Sequence, residues 1–402
     1  MRMAKNLKST GKKVRAKLPS HLSAKSAAAF ADLINKHKAA GPGVFPLKNF
    51  TFFLGAGFSK SWADSYPIGS QLFQVPAGDR ASLANVERAA NSSGTSLRGD
   101  LDMESIKQLI YTLDMNQRYP SIRSRYVDDQ NISAVKKELS AFFCRRFLSI
   151  VGPDWYWFDP NTQKFRVPDP VTRQQRKIQA LFSRMFKLID GSQGFMEGAR
   201  FNFITTNYDW LLEAIVDSVC DDDEPGLLFL YRGVTPRDIS GSQYEVAHEH
   251  NLVFNLFKIN GGFEIFRGDS CYQFDYLPKT EEQWLDRPPV LMLPSREQDY
   301  LSDYFKAIFP KAVRLLNESK VLVLVGYSLP AEDALLRFII RQFCEDAADG
   351  VDKYIFYVDK ADEGELIQRL QSVFPFVGTT LRASVYSGDF SDWAADVAQA
   401  TV

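Results

Sequence analysis

Five short polar stretches carry the residue types that could do chemistry, and each follows an apolar run. Gly55-Ala56-Gly57-Phe58-Ser59 comes after Phe50 to Leu54, and Thr205-Thr206-Asn207-Tyr208-Asp209 after Phe201 to Ile204. Lys258-Ile259-Asn260-Gly261-Gly262 closes the run Val253 to Phe257. Gly326-Tyr327-Ser328-Leu329-Pro330 follows Val321 to Val325, and Asp359 follows Ile355 to Val358. Glycines let a backbone approach a pyrophosphate, and a helix starting beyond them would favour its negative charge. Carboxamides, hydroxyls and an acid at the end of a buried strand are placed either to hold a polar ligand or to cap the next helix. For Thr206 and Asn207 the cap is the simpler reading, because Thr and Asn satisfy first-turn amides.

The elements that must position these groups are legible as alternation. Strand-like runs at Phe201 to Thr206, Leu227 to Tyr231, Leu252 to Ile259, Val321 to Val325, Tyr354 to Val358 and Leu381 to Tyr386 are mostly separated by helical patterns. Those helices are expected at Tyr208 to Val219, Tyr300 to Leu316, Glu332 to Phe343, Asp362 to Val373 and Phe390 to Ala400. Alternation of this kind predicts an α/β fold with a Rossmann-like, doubly wound parallel sheet, in which ligands bind beyond the carboxyl ends of the strands. Between about Val75 and Ala199 helical periods dominate, with the aromatic run Trp155-Tyr156-Trp157-Phe158 inside them. That region reads as a mostly helical insertion, and its aromatic run as packing rather than a base-stacking platform, since no basic residues interleave with it. Ala27, Phe30, Leu33 and Ile34 recur at helical spacing and stop at Gly41-Pro42-Gly43, as in a covering helix. The expected division is residues 1–43 as basic arm and helix, 44–75 with 199–402 as the sheet domain, and 76–198 as the insertion.

Composition narrows the function classes. The chain has 402 residues, 45% hydrophobic and 24% charged, which fits a globular protein. With 48 Lys and Arg against 49 Asp and Glu the net charge is -1, so binding to nucleic acid would have to be local. The local excess is N-terminal: Arg2, Lys5, Lys8, Lys12, Lys13, Arg15, Lys17 and Lys25 precede the first acid, Asp32. No apolar h-region accompanies them, and no apolar run reaches the roughly 18 residues of a membrane span, so a soluble, cytoplasmic protein is expected. The four cysteines are scattered without a C-x-x-C pair, and His248-Glu249-His250 lacks companion ligands, so neither a disulfide framework nor a zinc site is expected.

Taken together, GAGFS, TTNYD, KING and GYSLP, in this order and at these spacings, resemble the sirtuin-like NAD-binding domains of bacterial antiviral defence proteins. The resemblance covers roughly residues 50–72 and 199–392 and stops at the nucleotide site, since the paired cysteines of the sirtuin zinc module are absent. It implies that Gly55, Ala56, Gly57, Phe58 and Ser59, followed by Pro67, wrap a pyrophosphate. Thr206 would lie beside it, Asn207 would orient water or the nicotinamide ribose, and Asp209 would hold the carboxamide. Gly326, Tyr327 and Ser328 would meet the adenosine ribose, and Asp359 the adenine edge. The implied function is NAD⁺ hydrolysis to nicotinamide and ADP-ribose as an antiphage effector that depletes NAD. A homo-oligomer and a partner such as a hexameric HerA-type ATPase would accompany it.

One position departs from the family. Its third motif ends K-L-H-G, with the histidine as general base or ribose anchor, whereas Asn260 stands here. Asparagine takes no proton at neutral pH, and a general base contributes about 10²–10⁴-fold. Preorganised polar groups, Asn207, Asn260 and Asp209, can instead stabilise a developing oxocarbenium. Glu264 or a neighbouring subunit is a second source of a base. The alternative is a non-catalytic NAD- or ADP-ribose-binding assembly subunit.

Overall fold

The computed structural model describes residues 23–39, 49–92, 99–122, 129–162, 164–166, 170–187, 200–219, 230–234, 237–239, 254–269, 271–298, 300, 302–349, 352–374, 377 and 381–401. The basic arm before Ser23, the Gly41-Pro42-Gly43 stop, Cys220, the acidic Asp221 to Glu224 and the His248-Glu249-His250 triplet lie outside them.

Seven parallel strands form the central sheet: β1 (Asn49–Leu54), β2 (Arg200–Thr205), β3 (Leu230–Tyr231), β4 (Phe254–Lys258), β5 (Val321–Val325), β6 (Lys353–Asp359) and β7 (Leu381–Ser387). Their order is β7-β6-β5-β1-β2-β4-β3. β1 beyond Asn49 and the whole of β5 consist of β-branched, leucine and aromatic residues, and in β1, β2 and β5 nearly every side chain is buried, as a sheet covered on both faces requires. The chain grows from β1 towards β3 on one side and then resumes at β5 on the other. The crevice between the carboxyl ends of β1 and β5 is therefore the topological switch point. The doubly wound parallel sheet expected from the alternation is present.

Helices cover both faces. On one lie α1 (Ser23–Ala39), α5 (Arg173–Lys187), α6 (Leu211–Val219) and α10 (Phe390–Ala400); on the other lie α7 (Asp303–Glu318), α8 (Ala334–Arg341) and α9 (Glu363–Val373). Strand alternation assigns the faces. Phe50 and Phe52 meet Phe30 of α1, while Thr51 hydrogen-bonds Ser319 beyond α7 and Phe53 packs on Tyr327. Phe30 is fully buried and also touches Phe356 and Trp393, so α1 is part of the core rather than of an arm. Burying one such ring stabilises by about 1.5–3 kcal/mol.

Between β1 and β2 the chain forms α2 (Ala56–Trp62), α3 (Met103–Arg118), α4 (Asp129–Val151) and a hairpin pairing Trp157–Asp159 with Lys164–Arg166. Asp102 starts α3 by accepting the Ser105 amide. The aromatic run is packing: Trp155 lies 4.2 Å from Trp210 between ring centroids, Tyr156 and Phe158 are buried, and Trp157 is half exposed. The last helix of this stretch, α5, stacks Phe182 on Phe203 of β2 and so belongs to the sheet's own helical layer. A small mixed sheet of Arg237–Ile239, Tyr272–Phe274 and Ile265–Arg267, which no periodicity announced, extends the region after β4.

Candidate functional site

A cavity of about 770 Å³ opens at the carboxyl edge of the sheet, on the switch point, and falls in the usual range for small-molecule sites. Ala56, Gly57 and Ser59, then Pro67, reach it from the β1 turn; Thr206, Asn207 and Asp209 from β2; Asn260 from β4. Gly326, Tyr327 and Ser328 reach it from β5, and Asp359 from β6. Two of the expected contacts are not on its wall. Gly55 is the hinge of the turn, and the Phe58 ring points into the helical layer against Phe182 and Phe390.

The glycines owe their identity first to each other. Gly55 and Gly326 donate their amides to Val325 and Val358, continuing the sheet, and the Gly57 amide donates to the Gly326 carbonyl at 2.9 Å. A Cβ on Gly57 would sit 2.6 Å from the Gly326 Cα, and one on Gly326 would sit 2.4 Å from the Gly57 Cα. The β1 and β5 turns touch backbone to backbone, and Gly326 adopts φ +58° to do so. With the Gly57 amide given to Gly326 and that of Phe58 to Gly55, two of the first amides of α2 are already engaged.

Beside these turns runs a hydrogen-bonded relay. Asn207 Nδ2 donates to the Gly55 carbonyl and to Ser59 Oγ, both at 2.9 Å, and Ser59 Oγ donates to Asp209 Oδ2 at 2.9 Å. The helix-cap reading of Thr206 and Asn207 gives way here, because Asp209 Oδ1 accepts the Leu211 amide at the start of α6. Asn207 is thereby held by its nitrogen, and among the described residues its Oδ1 accepts no hydrogen bond. Burial pushes the Asp209 carboxyl above its ordinary value, with nearby Lys258 acting against that shift.

Behind Asp209 lies a buried ion cluster that the motifs did not reveal. Lys258 Nζ is 2.7 Å from the Asp209 carbonyl, 3.0 Å from Glu213 and 2.7 Å from Glu264; Arg232 is 2.9 Å from Glu213 and 2.5 Å from Glu264. All four side chains are at most 2% exposed, and their charges cancel. Burial pushes the Glu264 carboxyl up, and Lys258 and Arg232 pull it net below its ordinary value. Glu264 is therefore a paired, buried carboxylate, and it is not among the residues that line the cavity. Alternating hydropathy offers no signal for such a cluster, since each member sits in a different element.

Asn260 ends β4 in a turn where Gly261 adopts φ +81°, and its Nδ2 donates to the Thr206 carbonyl at 3.3 Å. Its Oδ1 is buried and accepts no hydrogen bond among the described residues. The segment after it pairs back, Met292 donating to the Asn260 carbonyl at 2.8 Å and Tyr208 Oη to the Met292 carbonyl at 2.6 Å, and carries Ser295 onto the cavity wall. Tyr327 Oη donates to Asp333 at 2.6 Å, and Asp359 Oδ1 accepts the Ala361 amide. Met103 and Lys107 of α3 and Phe147 of α4 close the opposite wall. Among the described residues no histidine lines the cavity, and no group of three or more His, Cys, Asp or Glu is placed to hold a metal ion. Among them, too, no helix is long and apolar enough to cross a membrane.

No protein-family model matches the chain, and no curated protein matches it. Among solved structures it is similar to Sir2Tm bound to a propionylated peptide, at 12% identity over 88% of this chain and 92% of that one, TM-score 0.34. It is also similar to a mutant Sir2 homologue complexed with ADP-ribose, at 12% identity over 88% and 91%, TM-score 0.35. A Sir2 complex with a p53 peptide and NAD⁺ aligns at 13% identity over 92% and 96%, TM-score 0.34. The fold assignment rests on the strand order and registers themselves.

Proposed function

We propose that the chain binds NAD⁺ in the switch-point cavity and hydrolyses its nicotinamide–ribose bond. The reading is carried by the convergence of four motif loops on one cavity, where a buried Asn207–Ser59–Asp209 relay and the Asn260 carboxamide share a wall. Water adds to the anomeric carbon as the glycosidic bond breaks, giving nicotinamide, ADP-ribose and a proton. The departing group is neutral and leaves a positive ribosyl fragment, so a desolvated carboxylate and oriented carbonyl oxygens favour the transition state over the ground state. Asp209 supplies the carboxylate, and Asn207, anchored through its nitrogen, presents Oδ1. The β1 and β5 turns take the diphosphate and adenosine ribose, with Asp359 at the adenine end.

Nicotinamide release by purified protein, alone and with its partner, tests the reading. Asn207→Ala is expected to lower release by about 10²–10³-fold, the cost of removing one preorganised polar group, in a protein that still folds. A triggered wild-type complex that never releases nicotinamide would sink it. Such an enzyme suits an antiphage effector that depletes NAD in an oligomer with a HerA-type ATPase, the setting that the motif resemblance implies.

The second reading, NAD or ADP-ribose binding without turnover, is favoured by one observation: among the described residues no imidazole lines the cavity, and asparagine holds the β4 position. Under it the wild type binds NAD and releases nothing, and Asn260→His creates or raises hydrolysis.

A further inference from the structure

Two residues of the cavity wall each carry a buried polar atom that has no hydrogen-bond partner among the described residues. They are Asn260, through Oδ1, and Ser295, through Oγ, and each residue is only 9% exposed. Native proteins rarely leave such groups unmet, because burial removes their water without replacing its hydrogen bonds. The two are tied together by the chain: Met292, three residues before Ser295, donates to the Asn260 backbone, and Tyr208 fixes the Met292 carbonyl. Their chemistry is complementary to one kind of ligand. Oδ1 only accepts, and a serine hydroxyl accepts or donates, so the pair fits a small group bearing an O–H.

We propose that Ser295 is a further substrate-contacting residue, which with Asn260 grips one O–H group in the cavity. This rests on the NAD⁺ reading above. Two sources share that chemistry: the attacking water, or a ribose hydroxyl of NAD⁺. Neither Asn260 nor Ser295 exchanges a proton near neutral pH, so the pair orients the group without deprotonating it. No motif pointed to Ser295, which lies in an irregular segment rather than at a strand end.

The test compares wild type, Ser295→Ala and Ser295→Thr in full-length protein. Because the hydroxyl has no partner among the described residues, Ser295→Ala should melt, without NAD, at the wild-type temperature or above. A clear fall would mean that the hydroxyl serves the fold, and would overturn the proposal. If the pair holds the attacking water, Ser295→Ala lowers kcat about tenfold with KM and the NAD-induced melting shift unchanged. It also raises the ratio of methanolysis to hydrolysis in added methanol. If it holds a ribose hydroxyl, KM rises about tenfold and the melting shift shrinks, with that ratio unchanged; this arm reads equally in a protein that binds without turnover. Ser295→Thr, which keeps the hydroxyl, restores either deficit in part. Ser295→Ala matching wild type in kcat, KM, melting shift and ratio overturns the proposal while leaving the NAD⁺ reading standing. A wild type that neither releases nicotinamide nor shifts its melting with NAD overturns both.

Discussion

Asp209 takes part in three sets of interactions at once. Its carboxylate accepts from Ser59 and from the Leu211 amide, and its carbonyl accepts from Lys258. Desolvation raises its proton affinity, so on acidification it becomes neutral at a higher pH than an ordinary aspartate, whose midpoint is near 3.9. On the proposed reading, losing that anion removes the stabilisation of positive charge, and NAD⁺ cleavage should fall with an acid limb centred above the ordinary carboxylate range. Asp209→Asn should abolish most of the rate and leave what remains without this limb; an identical acid limb in both proteins would assign it elsewhere. The sign for stability is opposite. A carboxyl whose proton affinity is raised by folding favours the folded state increasingly as pH falls through its folded midpoint towards its unfolded one. On the proposed reading, acid costs activity here while it adds to this site's stability.

At the scale of elements, the site depends on the contact between two turns. The β1 and β5 turns approach so closely that each needs a glycine where they meet, and Gly326 also needs its left-handed backbone. Gly326→Ala combines a left-handed penalty of about 1–2 kcal/mol with an overpacking cost of about 1–3 kcal/mol. Thermal or denaturant unfolding should show a loss of about 2–5 kcal/mol, together with weakened binding of the NAD⁺ proposed for the cavity, since the same turns wall it. A variant as stable as wild type would mean that the turns can separate at little cost. The relay from Asn207 through Ser59 to Asp209 likewise joins elements, the β1 turn to the β2 turn, far apart in sequence.

For the whole molecule, the near-neutral charge places any contact with nucleic acid on the basic N-terminal arm, and the fold says where that arm can be cut. Ala27, Phe30 and Ala31 are buried in the helical layer, Phe30 among four aromatic rings. Deleting residues 1–31 should strip Phe30 from the core, at a cost of about 3–5 kcal/mol, whereas deleting 1–22 keeps α1 whole. The shorter deletion is then the informative one for DNA. If the arm binds phosphates, its removal should lower affinity and flatten the salt dependence by about 0.9 for each phosphate the arm had neutralised. An unaltered salt slope would leave the arm without that role.

The sheet was legible in the sequence because a strand buried on both faces must be almost continuously apolar, as Phe50 to Leu54 and Val321 to Val325 are. The residues after the apolar runs were legible for a related reason: in a parallel sheet every strand delivers its carboxyl end to one edge, so whatever follows each run is gathered there. The structure brings Asn207, Asp209, Asn260, Gly326 and Asp359 to one cavity. The local rule says nothing about direction, and the Phe58 ring turns into the helical layer. Nor does a rule based on neighbours in the chain register pairings between elements. The contact of Gly57 with Gly326, the cluster of Arg232, Lys258, Glu213 and Glu264, and the arrival of Ser295 at the cavity that Asn260 lines exist only once strands, turns and insertion are packed. Burial and hydrogen-bond partnership belong to the three-dimensional arrangement, and they decide which of the polar residues in this chain are structural and which are left to meet a ligand.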